Sequence, residues 1–570
     1  MKSIYSFILL IGISIGFFSC ENMDLDPLSS LSTSNWYKTV DEVEKGVNEA
    51  WRMGEGWQKD YWSDESIFEN FTDDANWRYD QGIYKTGQLN SEEEYIGRKW
   101  DAYYQLISRM NNVLKAAETL KENGETSEKL AQLIGEIHFF RAYAYAQLVS
   151  HWGDVPLIKE NLTIEEGMSL GRTPKNEVTK FVYDEYDLAA NALPKSYDGI
   201  DRVTKGAALA LKARFALYMG DYPLAETAAK QVMDLGVYSL YPDYGELFQP
   251  ATKNTEESIF EIPRTLENQL PSWNYLMGII TRNNGGWNAV NPTWSLFASY
   301  TCTDGLTIDK SPLFDPKNPF KNRDPRCAAT IVEFGTRHLG FIYQPHPDSV
   351  TCWSFFQNAR VPNIDCRTVK YWASLNALSW KKSYNESWIT NGWRANNPEI
   401  ISRYADVLLI YAEARIEQNK IDQSTLDAIN TVRARAYHAD KSQTNKYPAV
   451  TEKDQAKLRA ILRTERRVEF AFENYYRMND LIRWRYNEIV FNEKLYLPPL
   501  DVNNWDRSIW FWPFAPKINE TTGLPDFSNL WATGKYELVC TFVWNNRQYL
   551  WPIPSTEVKI NPNMKQNPGY

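Results

Sequence analysis

The sequence predicts a mainly α protein. Discontinuous tetratricopeptide-like helical repeats form a scaffold, and a large, irregular, loop-rich insertion with few short strands interrupts it. Three observations predict this. Apolar residues recur at helical spacing through 39–236 and again through 399–484. One pair of those helices is joined by a Gly-Asp-Tyr-Pro turn with small alanines at the crossing, which is what a repeat hairpin needs. Residues 240–398 and 490–570 instead carry Pro, Gly, Asn and aromatics in short runs, the composition of loops.

The elements follow in order. A first helix is expected over 39–53. A long one over 92–121 places Trp100, Tyr104, Ile107 and Val113-Leu114 toward one side. Ser127 caps a third over 127–151, packed through Leu130, Ile134, Ile137, Arg141 and Tyr145. A fourth over 175–193 stops at Pro194. The clearest hairpin begins at 205–219, with Ala207, Leu211, Ala213-Arg214 and Tyr218 on one face. Gly220 sits where a left-handed residue ends a helix, and Asp221-Tyr222-Pro223 restarts the chain. Ala225, Ala228-Ala229 and Val232-Met233 then face inward up to Gly236. A late pair is expected over 399–419 and 424–436, and 453–484 reads as a further long helix or helix pair.

The chain has 570 residues and a net charge of −10, from 62 Lys+Arg and 72 Asp+Glu. Its 22 Trp, 34 Tyr and 25 Phe make an aromatic share of 14%, yet the mean hydropathy is −0.51. So polar a chain is not a multi-span membrane protein. An acidic surface also repels phosphate, which argues against nucleic acid.

The first residues read as an address. Lys2 precedes an apolar stretch from Ile4 to Phe18, shorter than the roughly 20 residues a spanning helix needs. Ser19-Cys20 closes it and resembles a bacterial lipobox, with Phe17 where Leu is usual. Residues 1–19 are thus expected to be a lipoprotein signal peptide. Cys20 is the expected lipidation site, and 20–35 the expected tether. The remaining parts are expected at 36–239 (helical repeats), 240–398 (insertion) and 399–570 (late helices and irregular tail).

Nothing in the chain pairs a nucleophile with a base. There is no GxxxxGK loop, no HExxH and no CxxC pair, so no cofactor or metal is expected. Cys302, Cys327, Cys352, Cys366 and Cys540 are odd in number, so at least one is unpaired within a monomer. Glu465, Glu469 and Glu473 recur every four residues beside Arg466, Arg467, Arg477 and Arg483. They read as a charge network locking the last repeat, with i,i+4 pairs such as Glu473–Arg477, rather than as catalytic acids. Asp73-Asp74 and Asp64-Glu65 are equally weak as catalytic pairs.

Several blocks, in order, carry a family resemblance. Phe139-Phe140-Arg141-Ala142-Tyr143 leads to His151-Trp152-Gly153-Asp154-Val155-Pro156-Leu157, and Arg202-Val203-Thr204-Lys205-Gly206-Ala207-Ala208 opens the hairpin. Arg403-Tyr404-Ala405-Asp406-Val407-Leu408-Leu409 marks the late helix. Arg463-Thr464-Glu465-Arg466-Arg467-Val468-Glu469-Phe470 runs on to Asp480-Leu481-Ile482-Arg483-Trp484, and Trp551-Pro552-Ile553-Pro554 lies near the end. With the lipoprotein signal, this set resembles the SusD/RagB family of outer-membrane nutrient-binding lipoproteins, the starch-binding-associating type included. One departure is Glu473-Asn474, where the family often has Glu-Gly; a helix would tolerate Asn there. The resemblance implies a lipid-anchored protein of the cell outer membrane, facing outward. It would capture an oligosaccharide and deliver it to a SusC-like TonB-dependent transporter, with the repeats facing that partner. It implies a binding protein, not an enzyme.

Sugar rings present apolar C–H faces ringed by hydroxyls, so their sites need exposed rings among hydrogen-bonding groups. Trp100, Tyr104, Tyr143, Tyr145, Phe215 and Tyr411 stand at helical spacing and read as core, and Trp294 reads as packing. The polar loops hold the ligand-binding candidates: Trp77, Tyr79, Trp287, and Trp353 or Trp372. These come from the regions where the family places its aromatic platform. Three rivals stay open. A RagB-type peptide-uptake protein would use main-chain hydrogen bonds. A glycoside hydrolase would need two carboxylates facing each other across a cleft. A purely structural adaptor would show no exposed aromatic cluster in the loops.

Overall fold

A computed structural model describes residues 36–53, 71–78, 82–199, 202–262, 264–267, 277–473, 476–509 and 511–570. Cys20, Tyr79, the signal and tether regions and Asp64-Glu65 lie outside them. Ten longer helices are present among the described residues: α1 (Val40–Met53), α2 (Glu94–Glu122), α3 (Glu128–Trp152), α4 (Lys175–Ala192) and α5 (Lys205–Met219). α6 (Tyr222–Leu235), α7 (Tyr404–Glu417), α8 (Gln423–Ala436), α9 (Gln455–Phe470) and α10 (Tyr476–Arg483) complete them. They pack against one another around one apolar core, which also takes in Trp551 and Ile553 of the tail.

The expected caps are in place. The Ser127 hydroxyl accepts from the Leu130 amide at 3.3 Å and starts α3. Gly220 closes α5 at φ 78°, a conformation that carries little strain without a Cβ. Asp221 then caps α6 by accepting from the Leu224 amide at 3.2 Å. Trp152 ends α3 fully buried, and its indole N–H donates to the Pro552 carbonyl at 2.9 Å.

Two late elements differ from expectation. Residues 399–403 are not helical. They form β8 (Glu399–Arg403), paired antiparallel with β2 (Ser258–Ile262). All five residues of β8 are buried, so long-range pairing overrides the helical pattern. The 453–484 stretch is a helix pair rather than one helix. Tyr244, Lys382 and Arg403 take the carbonyls of Glu469 and Ala471 where α9 would otherwise continue, and Phe472 turns back at φ 60°. Glu473 therefore lies beyond the helix and does not pair with Arg477. It binds Arg403 and Lys382, while Arg477 holds Asp73 through two bonds of 2.8 Å. Asn474 lies outside the described residues.

The glutamate ladder is a buried network. Arg403 reaches Glu257 at 2.8 Å and Glu469 at 2.6 Å. Arg326, from the loop-rich part, reaches Glu465 at 2.7 Å and Glu469 at 2.9 Å. Repeats and loops are thereby locked together.

The strands are short. β1 (Ala75–Trp77) pairs with β3 (Val290–Pro292). β4 (Thr336–His338), β5 (Phe341–Tyr343), β6 (Thr351–Ser354) and β7 (Ala359–Pro362) form one antiparallel sheet in that order. β9 (Lys494–Leu497) pairs with β12 (Glu537–Thr541), and β10 (Lys517–Ile518) with β11 (Pro525–Asp526). A second apolar core sits under these loops. It draws Trp294, Phe297 and Trp380 together with Ala75, Val468, Phe511 and Trp512. All five described cysteines are free thiols.

Candidate functional site

Three chain segments meet on the loop-rich side. Trp77 ends β1 opposite Val290, and the Arg78 amide extends the pairing to the Ala289 carbonyl at 2.8 Å. This brings Trp77 beside the turn that carries Trp287. The turn is compact because Gly286 lies against the Ile280 backbone. A Cβ there would sit 2.2 Å from the Ile280 carbonyl oxygen. The Arg78 guanidinium donates to the carbonyls of Trp287 and Asn288, the latter at 3.0 Å. The same group lies 5.9 Å from the centre of the Trp372 ring, within cation–π reach.

The third segment, 363–373, is stitched to the turn. The Asp365 carboxylate accepts the Arg282 amide at 2.7 Å and the Asn283 amide at 3.1 Å. Asn283 returns two bonds: its side-chain Oδ1 accepts the Ile364 amide at 3.0 Å, and its side-chain Nδ2–H donates to Asn363 Oδ1 at 3.0 Å. Arg282 closes the arrangement by donating from Nε to the Trp372 carbonyl at 2.5 Å. Burial pushes the Asp365 carboxyl up to about 6, against the lowering effect of these amides.

The outward surface of this assembly is aromatic. Tyr371 and Trp372 are 49% and 47% exposed, and their rings meet edge to face at 5.2 Å. Arg367 lies 5.8 Å from the Tyr371 ring centre. Large rings left this open among charged side chains are unusual unless they bind something. Trp77 and Trp287 are half-buried at the edge of the same region.

Of the sequence candidates, Trp77, Trp287 and Trp372 thus gather around Arg78. Trp353 does not join them. It pairs with Arg360 across β6 and β7, and its neighbour Cys352 is the residue that faces Asn283, so Trp353 projects from the other side of that sheet. Tyr371 and Asp365 are not among the sequence candidates. Tyr371 has a signal: two adjacent rings in a polar turn do not both point into one core. Trp294 packs as expected, 4% exposed, with its N–H on the Asn376 carbonyl at 3.0 Å.

Among the described residues, no group of three or more His, Cys, Asp or Glu side chains is placed to hold a metal ion. No helix among them is long and apolar enough to cross a membrane. Asp73 and Asp74 are buried against Arg467 and Arg477, a structural pairing. Burial would raise the Asp73 carboxyl, but the two guanidiniums outweigh it and hold it at about 2.

Fold and site define a helical-repeat scaffold that presents an aromatic surface on an inserted loop region. The chain belongs to the SusD family, whose description matches residues 256–570. Residues 23–217 match a second family described as "Starch-binding associating with outer membrane". The SusD-like protein P2 of Formosa agariphila is 23% identical over 593 aligned positions, covering 99% of both chains. A solved SusD-like carbohydrate binding protein from Bacteroides fragilis is 29% identical, with a TM-score of 0.75 over 93% of this chain and 99% of that one. Surface glycan-binding protein A from Bacteroides fluxus shares the fold at 19% identity, with a TM-score of 0.63 over 93% and 100% of the two chains.

Proposed function

We propose that this protein is a non-catalytic, cell-surface lipoprotein that captures oligosaccharides on the Trp77–Trp287–Trp372 region and passes them to a SusC-like TonB-dependent transporter. The observation that carries the reading is the exposed Tyr371–Trp372 pair, ringed by Arg78, Arg282 and Arg367. The rings offer faces for sugar C–H groups, and the half-exposed Arg282 and exposed Lys370 beside them offer donors to the hydroxyls. The Bacteroides fragilis relative, described as carbohydrate binding, supports the ligand class. The family description of residues 23–217 supports the outer-membrane address, and lipidation of Cys20 would supply the anchor.

Calorimetric titration with a glycan panel tests this. One oligosaccharide class should bind saturably, and Trp372→Ala should weaken it about 30-fold, roughly the 2 kcal/mol of a central aromatic anchor. Because Trp372 is half exposed, the variant should keep its melting temperature. A panel with no binder at all, or a Trp372→Ala protein that binds as before, defeats the sugar reading. New reducing ends after incubation would show that the protein is an enzyme.

A further inference from the structure

On the Asn76 face of β1 lies a recess separate from the aromatic surface. Asn76, Lys85, Glu493 and Tyr496 line it together with the rings of Phe527, Trp531 and Phe542. Its volume is about 70 Å³. At roughly 10–15 Å³ for each water-sized group, that accommodates about five heavy atoms and no pyranose ring.

Its chemistry is specific. The Glu493 carboxylate makes no hydrogen bond or ion pair with any described residue, and it stands at a mouth open to solvent. The charged groups around it are accounted for. Asp73 is held by Arg467 and Arg477. The Lys85 ammonium donates to Asn76 Oδ1 at 3.2 Å and to the Ala75 carbonyl, and sits 5.7 Å from the Phe542 ring centre. Lys494 follows Glu493 on β9 and is exposed. Asp526 approaches from β11. The surrounding walls, then Asp73 and Asp526, push the Glu493 carboxyl up to about 7. Asp73 and Asp526 add negative potential at this carboxylate, which attracts a small cation, and the ring walls favour an organic one.

We propose that this recess is a second binding site, which takes the end of an aliphatic primary amine with its ammonium on Glu493. Four methylenes and a nitrogen match the space when a free alkylamine enters chain first and leaves its ammonium outermost, on the exposed Glu493. The site is independent of the glycan reading, and neither stands or falls with the other.

The test uses the mature chain and follows Trp531 and its neighbours by fluorescence or ligand-observed NMR. n-Butylammonium should bind saturably at concentrations up to roughly 10 mM, and the neutral isostere 1-butanol should not. Nα-acetyl-lysine methylamide, whose ammonium would have to enter first, should bind at least about tenfold more weakly than n-butylammonium, and equal binding overturns the proposed orientation. Glu493→Gln should abolish the difference between amine and alcohol. Without any variant, affinity should rise about tenfold from pH 6 to pH 8 as Glu493 ionises while the amine stays charged. Equal binding of amine and alcohol, no saturable amine binding, an unchanged Glu493→Gln protein, or a flat pH profile each overturns the proposal.

Discussion

Arg403 and Glu469 meet at 2.6 Å with neither side chain accessible to solvent. Arg403 ends β8, and Glu469 lies in the last turn of α9, so this one contact joins the strand pair to the late repeat. Glu257, Glu473, Arg326 and Arg435 complete the cluster. Deleting one partner strands the others' charge in a place water does not reach. Glu469→Ala should therefore destabilise the protein by about 3–5 kcal/mol in urea unfolding. Glu246→Ala, at an exposed position, should stay within about 0.5 kcal/mol. Near-equal losses in the two variants would mean that the network does not hold the fold.

The same cluster sets an acid limit. Burial would raise Glu469, but Arg435, Arg403 and Arg326 outweigh it and hold its carboxyl far below the usual range. Asp73 is held at about 2 against an ordinary 3.8. Both groups have depressed folded pKa values, so their stabilisation is complete above the unfolded values and is lost as pH falls through the folded ones. The melting temperature should be steady above pH 5 in this respect and drop steeply between about pH 4 and pH 2. Asp73→Asn should flatten part of that drop; an unchanged slope would discount Asp73.

Local signals made the scaffold legible. Ser127, Gly220, Asp221 and Gly236 cap helices whose apolar periodicity is continuous, so those elements stand within two residues of expectation. What failed depended on distant partners. Residues 399–403 carry the look of a helix start, and only β2, far back in sequence, makes them a strand. Glu473 reads as the next rung of a helical ladder until Lys382 and Arg403 are seen to take the carbonyls that end α9. The site was half legible for the same reason. Polar loops marked Trp77, Trp287 and Trp372, but no spacing rule links Arg78 to Asn288, 210 residues away. Trp353 shares their composition and faces elsewhere, because strand alternation decided its direction.

Asp365 positions the aromatic surface without belonging to it. Asp365→Ala frees the Arg282 and Asn283 amides and should weaken glycan binding several-fold, while Trp287 and Trp372 remain present. Its folded pKa of about 6 lies above the ordinary 3.8, so its neutral form is the one folding favours. That contribution is present below pH 4 and lost as pH rises through 6. The stability of the wild type relative to Asp365→Asn should accordingly fall by up to roughly 3 kcal/mol between pH 4 and pH 8. This direction holds however well Asn fits the pocket, since only Asp titrates. Parallel pH curves for the two proteins would show that Asp365 is not burdened by burial.

The short helix Ile164–Ser169 bears on the proposed transporter contact. Thr163 and Glu166 cap it reciprocally, at 3.2 and 2.8 Å, so its shape is fixed, yet none of its residues is buried. Ile164 is 78% exposed, and Ile560 is 61% exposed across a groove of about 450 Å³ walled by Trp100, Tyr104 and Met564. An ordered apolar rim over an open groove is the kind of surface that a protein partner covers. It is built by the repeat scaffold and the C-terminal tail, and by none of the segments that form the aromatic surface. The double variant Ile164→Asp, Ile560→Asp should therefore fold normally and bind glycan as the wild type does. Its recovery with the transporter from detergent-solubilised outer membranes should fall at least about tenfold, since two desolvated charges would oppose the contact. Undiminished recovery would place the partner's footprint elsewhere, and a parallel loss of glycan binding would show that the two surfaces are not separate.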